Sequence, residues 1–151
     1  MIINETIVLV DGFAKTTGNY MRAMVDKYYK DMAPYASLSL IEVYNLIKNI
    51  PFRPDPDDAE VLMRPMYTMN SLGYGGDCDD KAIALASYCR LFYIPYRFVA
   101  VRDASKKMLH HVYLECYITN RYAKGWIVLD PTYNFNRFGR ERKKYAEYVF
   151  I

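Results

Sequence analysis

Several things are scarce in this 151-residue chain, and each scarcity excludes a class of protein. Cysteine is limited to Cys78, Cys89 and Cys116, an odd number at spacings that match neither a zinc ribbon nor a disulfide framework. Free thiols in a reducing compartment are therefore expected. Long apolar runs are missing: Ile7 to Val10 is the longest near the start, far shorter than a signal-peptide core or a membrane span. The expectation is a cytoplasmic protein with no membrane partner. An excess of one charge is also missing, since the formal net charge is only +3. Nucleic-acid binding needs a concentrated basic face, and none is expected. The one basic cluster, Arg137, Arg140, Arg142, Lys143 and Lys144, reads as the solvated face of a C-terminal helix. Histidine is scarcest of the reactive types, with only His110 and His111.

What is present is ordinary globular material, 52% hydrophobic and 25% charged, with tyrosine in excess at sixteen residues. Tyrosine joins an apolar ring to a polar tip and suits half-buried surfaces such as a groove. Thr16 to Ala33 carries helical spacing closed by Pro34, and Ser39 with Glu42 forms a capping box for a second helix ending at Pro51. Pro51 to Pro56 is a surface connection, and Ala59 to Met63 reads as a short helical turn. Met69 to Gly76 holds three glycines, which predicts a tight loop where backbone approaches a neighbour closely. Asp79 to Phe92 is the strongest helix, with Ala82, Ile83, Ala86 and Cys89 on its apolar face. Three strands follow, at Tyr96 to Val101, His110 to Ile118 and Trp126 to Leu129. Helices first and antiparallel strands after define an α+β class in a single domain over residues 1–151.

The chemistry gathers at Gly76-Asp77-Cys78-Asp79-Asp80. Asp77 is a good N-cap, so Cys78 falls in the first helical turn, where free amides favour a thiolate. Asp77, Asp79 and Asp80 oppose that anion, and their offset is expected from Lys81, from capping hydrogen bonds or from a bound cation, calcium being the hard ion that clustered oxygens suit. The general base is His110 or His111. Adjacent strand residues face opposite sides, and alternation groups His111 with Tyr113 and Glu115 and His110 with the more apolar set, leaving the pair open. Asp130 ends the last strand and is placed to hold a histidine in its tautomer. Cys89 and Cys116 read as core thiols.

At these residues the sequence resembles the transglutaminase-like superfamily. The matching words are Gly-Asp-Cys-Asp-Asp-Lys at 76–81, Ile-Pro-Tyr-Arg-Phe-Val at 94–99, His-Val-Tyr-Leu-Glu at 111–115 and Gly-Trp-Ile-Val-Leu-Asp-Pro-Thr at 125–132. The first of these words is most similar to small phage and prophage domains and to bacterial transglutaminase-like cysteine proteinases. The resemblance implies a papain-like core over 51–133, a helical extension over 1–50 and a C-terminal extension over 134–151. It further implies Cys78 as nucleophile, His111 as base and Asp130 as its orienting partner, with Tyr74 and Tyr113 as cleft or oxyanion candidates. The implied activity is cysteine-dependent hydrolysis of a peptide or isopeptide substrate through a thioester. The alternatives are acyl transfer to an amine and a non-catalytic phage scaffold, virion-associated if phage-encoded. No cofactor is required, calcium apart, and the oligomeric state is left open. Two positions depart from many relatives: Tyr113 stands where they carry Trp, and Phe92-Tyr93 where they carry Leu-Gly.

Overall fold

A computed structural model describes residues 6–9, 15–55, 60–70 and 75–151. Its elements are β1 (Thr6–Leu9), α1 (Lys15–Tyr28), a 3-10 segment (Tyr29–Tyr35), α2 (Leu40–Lys48), β2 (Glu60–Met63), α3 (Pro65–Met69), α4 (Cys78–Leu91), β3 (Tyr96–Arg102), β4 (His111–Thr119), β5 (Lys124–Leu129) and β6 (Glu147–Phe150). The fold is α+β, with helices packed on one face of an antiparallel sheet of order β5-β4-β3-β6.

The central element is α4. It is buried on every side from Cys78 to Cys89, because α1, α2, α3 and the 3-10 segment cover it from one direction and β3 and β4 from the other. A helix enclosed all round must carry small residues where neighbours come close, and Ala82, Ala84 and Ala86 supply them between Ile83 and Leu85. Each large apolar side chain buried here stabilises by about 1.5–3 kcal/mol. Asp80 closes the start of the helix by accepting from the Asp77 N–H at 3.3 Å. The far end is less comfortable. Tyr93, just past the helix, sits at φ 55, a left-handed conformation that glycine adopts without strain.

The alternation of the sheet has a clear physical result. Phe98, Ala100, Val112, Leu114, Cys116 and Leu129 face the helices and join the main core. Val99, Val101 and Tyr113 face away and make a second, smaller cluster with Tyr145. Cys89 and Cys116 are free buried thiols hydrogen-bonded to each other, and that contact, with burial, pushes the Cys89 thiol well up.

Three expectations differ from what is found. Residues 60–63 form a strand rather than a helical turn, because they pair antiparallel with β1, from Thr6 with Met63 to Leu9 with Glu60. The N-terminal 50 residues thus contribute a strand as well as helices. The basic stretch at 137–144 is not helical; it runs as irregular chain and turns into β6, which pairs with β3 from Val99–Phe150 to Arg102–Glu147. The predicted tight loop lies partly outside the described residues, but its end fits the expectation. Gly75 has φ 63, and Gly76 exchanges backbone hydrogen bonds with the Pro51–Arg53 segment (Gly76 N to Pro51 O, 3.2 Å; Arg53 N to Gly76 O, 3.0 Å).

Candidate active site

Asp130 is the first residue after β5, and the register explains where it points. Leu114 pairs with Leu129, so continuing the ladder by one residue sets Asp130 opposite Tyr113 and diagonal to His111. All three share one face of the pleat. His111 Nε2 lies 2.8 Å from Asp130 Oδ2, with Asp130 only 2% and His111 8% exposed. The other carboxylate oxygen accepts from the Thr132 N–H at 3.1 Å, and the Asp130 carbonyl accepts from the Tyr44 hydroxyl and the Asn136 amide, each at 3.1 Å. Burial pushes the Asp130 carboxyl up, but the hydrogen bond and charge of His111, with the Thr132 donors, outweigh it and hold the group below its ordinary range.

His110 is occupied elsewhere. Its Nδ1 lies 3.2 Å from the Val101 carbonyl and its Nε2 3.1 Å from Asp103 Oδ2. The structure therefore separates two histidines that alternation alone left open: His111 meets Asp130, and His110 meets Asp103.

Cys78 is the first residue of α4, and its side chain is in no disulfide and buried, at 8% exposure. Tyr133 bridges the two halves of the site. Its ring lies parallel to the His111 ring within 19°, centroids 6.4 Å apart, and burial first and charge at Cys78 second push its hydroxyl up. Tyr145 lies 6.3 Å from His111 at 30°. With Nε2 held by Asp130, Nδ1 is the imidazole nitrogen left for a thiol.

Tyr113, a cleft candidate, is 1% exposed and donates its hydroxyl to Glu141 at 3.3 Å. Tyr74, the other, lies outside the described residues. The three aspartates do not converge as one set. Asp80 turns away, accepting from the Met63 N–H at 2.9 Å, and burial followed by the Asp77 charge pushes its carboxyl well up. Asp77 and Asp79 instead meet Asp55, their ligand atoms all within 4.8 Å of one another. Lys81, 1% exposed, donates to the Ile50 carbonyl at 2.6 Å and the Thr132 carbonyl at 2.9 Å; burial lowers its ammonium to about 8 against the raising pull of Asp130 and Asp77. Sequence reasoning missed Tyr44, Tyr133, Asn136 and Tyr145. Only the tyrosine excess hinted at them.

A cysteine-headed helix packed on an antiparallel sheet that carries a buried His–Asp pair defines the papain-like class of fold. Within it, this chain belongs to the transglutaminase-like superfamily, whose family model matches residues 22–131. The crystal structure of a candidate cysteine protease from Cytophaga hutchinsonii shares the fold, with a TM-score of 0.50 and 17% identity over 84% of this chain. The chain spans 49% of that protein, about half its length. Among curated proteins nothing matches. No helix among the described residues is long and apolar enough to cross a membrane.

Proposed function

We propose that the protein hydrolyses an amide bond in a peptide or isopeptide through a Cys78 thioester. The observation that carries this reading is the buried 2.8 Å His111–Asp130 contact at the head of β4, with Tyr133 stacked on His111 and under the electrostatic influence of Cys78 at the start of α4. In the proposed cycle Asp130 keeps the Nε2 proton in place, so His111 Nδ1 takes the Cys78 proton. The thiolate, favoured by the free amides of the helix start, attacks the carbonyl carbon. The proton passes from Nδ1 to the departing amine, and the thioester remains. Water then gives its proton to His111, attacks the thioester and releases the acid, returning the proton to sulfur.

The test is the alkylation rate of Cys78 by iodoacetamide across pH, read by mass spectrometry in wild type and His111→Ala. A fast reaction at neutral pH that is lost in the variant is expected. Alkylation at the rate of a free thiol, indifferent to His111, would overturn the enzyme reading and leave a peptide-binding scaffold. Peptide digests in the presence of an added primary amine distinguish hydrolysis from transfer by the mass of the product.

Calcium is proposed as a structural companion of the site, held by Asp55, Asp77 and Asp79. Asp77 Oδ1 is buried with no hydrogen-bond partner among the described residues, and three hard oxygens in reach of one another suit such an ion. It would offset carboxylate charge beside the helix start. The expected result is a rise in the thermal midpoint on adding calcium, reversed by chelation and lost in Asp55→Asn. An unchanged midpoint would exclude it.

A further inference from the structure

Beyond the His–Asp pair, aromatic rings continue outward from the site into solvent. Tyr133 and Phe135 lie parallel within 4°, centroids 5.1 Å apart, and Phe52 leans on Tyr133 at 5.5 Å. Phe135 is 61% exposed, an unusual position for a phenyl ring that has neighbours to pack on. Over this pair lies the Arg142 guanidinium, 5.0 Å from the Tyr133 ring and 5.2 Å from the Phe135 ring. Next to it is a hollow of about 260 Å³ lined by Phe135, Asn136, Arg137, Arg140, Glu141 and Arg142. Three guanidinium groups there face one carboxylate, and that carboxylate already accepts from the Tyr113 hydroxyl.

A guanidinium held against aromatic rings loses little freedom on binding, and its N–H donors are of the kind that grip a carboxylate with two parallel hydrogen bonds. The shelf begins at Tyr133, in electrostatic reach of Cys78, and its next ring is one 5.1 Å step away. An extended peptide advances about 3.3 Å per residue, so a group over Phe135 and Arg142 belongs to a residue one or two positions beyond the one that packs on Tyr133.

Resting on the hydrolase reading above, we propose that Tyr133, Phe135 and Arg142, with the arginine-lined hollow beside them, form a substrate subsite that selects a peptide carboxylate a few residues from the bond presented to Cys78. The carboxylate belongs to an acidic side chain or to a free C-terminus; the chemistry of recognition is the same. The acidic groups on the other side of the thiol, Asp77 and Asp79, are buried and repel an anion in wild type and variant alike, so removing Arg142 isolates its contribution.

Two alkylating agents of similar size and opposite character read the subsite without any peptide. The ratio of Cys78 alkylation by iodoacetate to that by iodoacetamide is measured in wild type and Arg142→Gln. The expected result is a fall in the ratio of about fivefold or more in the variant, the iodoacetamide rate of each protein serving as its own reference. A ratio unaltered by the substitution overturns the subsite. The absolute iodoacetamide rate reports separately on the hydrolase reading, because the ratio is readable even for a slow thiol. The second measurement is cleavage of matched peptides carrying Glu or Gln near the scissile bond, and of free-acid and amidated C-termini. A Glu preference lost in Arg142→Gln assigns the subsite to a side chain, and a free-acid preference lost likewise assigns it to a terminus. Equal cleavage of all four peptides by the wild type overturns the proposal.

Discussion

Asp130 joins two networks through different atoms, and that separation makes its role testable. Its carboxylate serves His111 and Thr132, while its backbone carbonyl accepts from Tyr44 and Asn136. In Asp130→Asn the carbonyl bonds survive and Oδ1 still accepts from Thr132. The new amide then donates to His111 Nε2, which drives the imidazole proton to Nδ1 and removes the acceptor the thiol needs. The expected outcome is a loss of about 10²–10⁴ in Cys78 reactivity and peptide turnover, with the circular dichroism spectrum unchanged. Retained reactivity would remove Asp130 from the proposed mechanism. At this scale the sequence was informative where chemistry needs particular residue types in order, as with Cys78, the histidine pair and Asp130. It was silent on Tyr44, whose hydroxyl reaches across 86 positions of sequence to a backbone atom that every residue possesses.

The loop before α4 sets where the cysteine-bearing helix begins. Gly75 sits at φ 63, and a Cβ added there would stand 2.5 Å from the Pro51 carbonyl oxygen. That oxygen is fixed by the Gly76 N–H, so it has nowhere to retreat. Gly75→Ala should therefore destabilise the fold by about 1–3 kcal/mol and slow Cys78 alkylation, as read by urea denaturation and mass spectrometry. An unchanged midpoint would show that the loop does not hold the helix start. Elements with local instructions were legible in the same way. The capping box of α2 is present, with the Glu42 N–H donating to Ser39 Oγ at 3.3 Å, and α4 begins at its expected cap. β2 was not legible, because four residues become a strand only through their partner β1, more than fifty positions away. β6 was hidden by its setting, since a run of Arg and Lys just before it carries no period of two and reads as a solvated helix face.

Across the whole molecule, one buried cation ties together parts that the sequence order keeps apart. The α+β class followed from helices preceding strands, and the position of the site from a glycine loop, a strand head and a strand end. The cross-link among them follows from neither. Lys81 rises from α4 and donates to carbonyls at the end of α2 and after β5, at Ile50 and Thr132, while Asp130 and Asp77 draw on its charge. Its ammonium titrates at about 8 in the fold against 10.5 unfolded. Between these values the unfolded chain holds the proton more tightly than the folded one, so stability must rise as pH increases through that window. Below about pH 8 the cost of burying the charge is fully present. Wild type should accordingly gain about 1–3 kcal/mol relative to Lys81→Met between pH 7.5 and 10.5, measured by chemical denaturation at each pH. Lys81→Met should itself be less stable at every pH, because two buried carbonyls lose their donor. Parallel pH curves for the two proteins would mean that Lys81 is solvated in the folded state, and the cross-link between the cysteine helix and the Asp130 turn would have to be sought in Tyr44 and Asn136 alone.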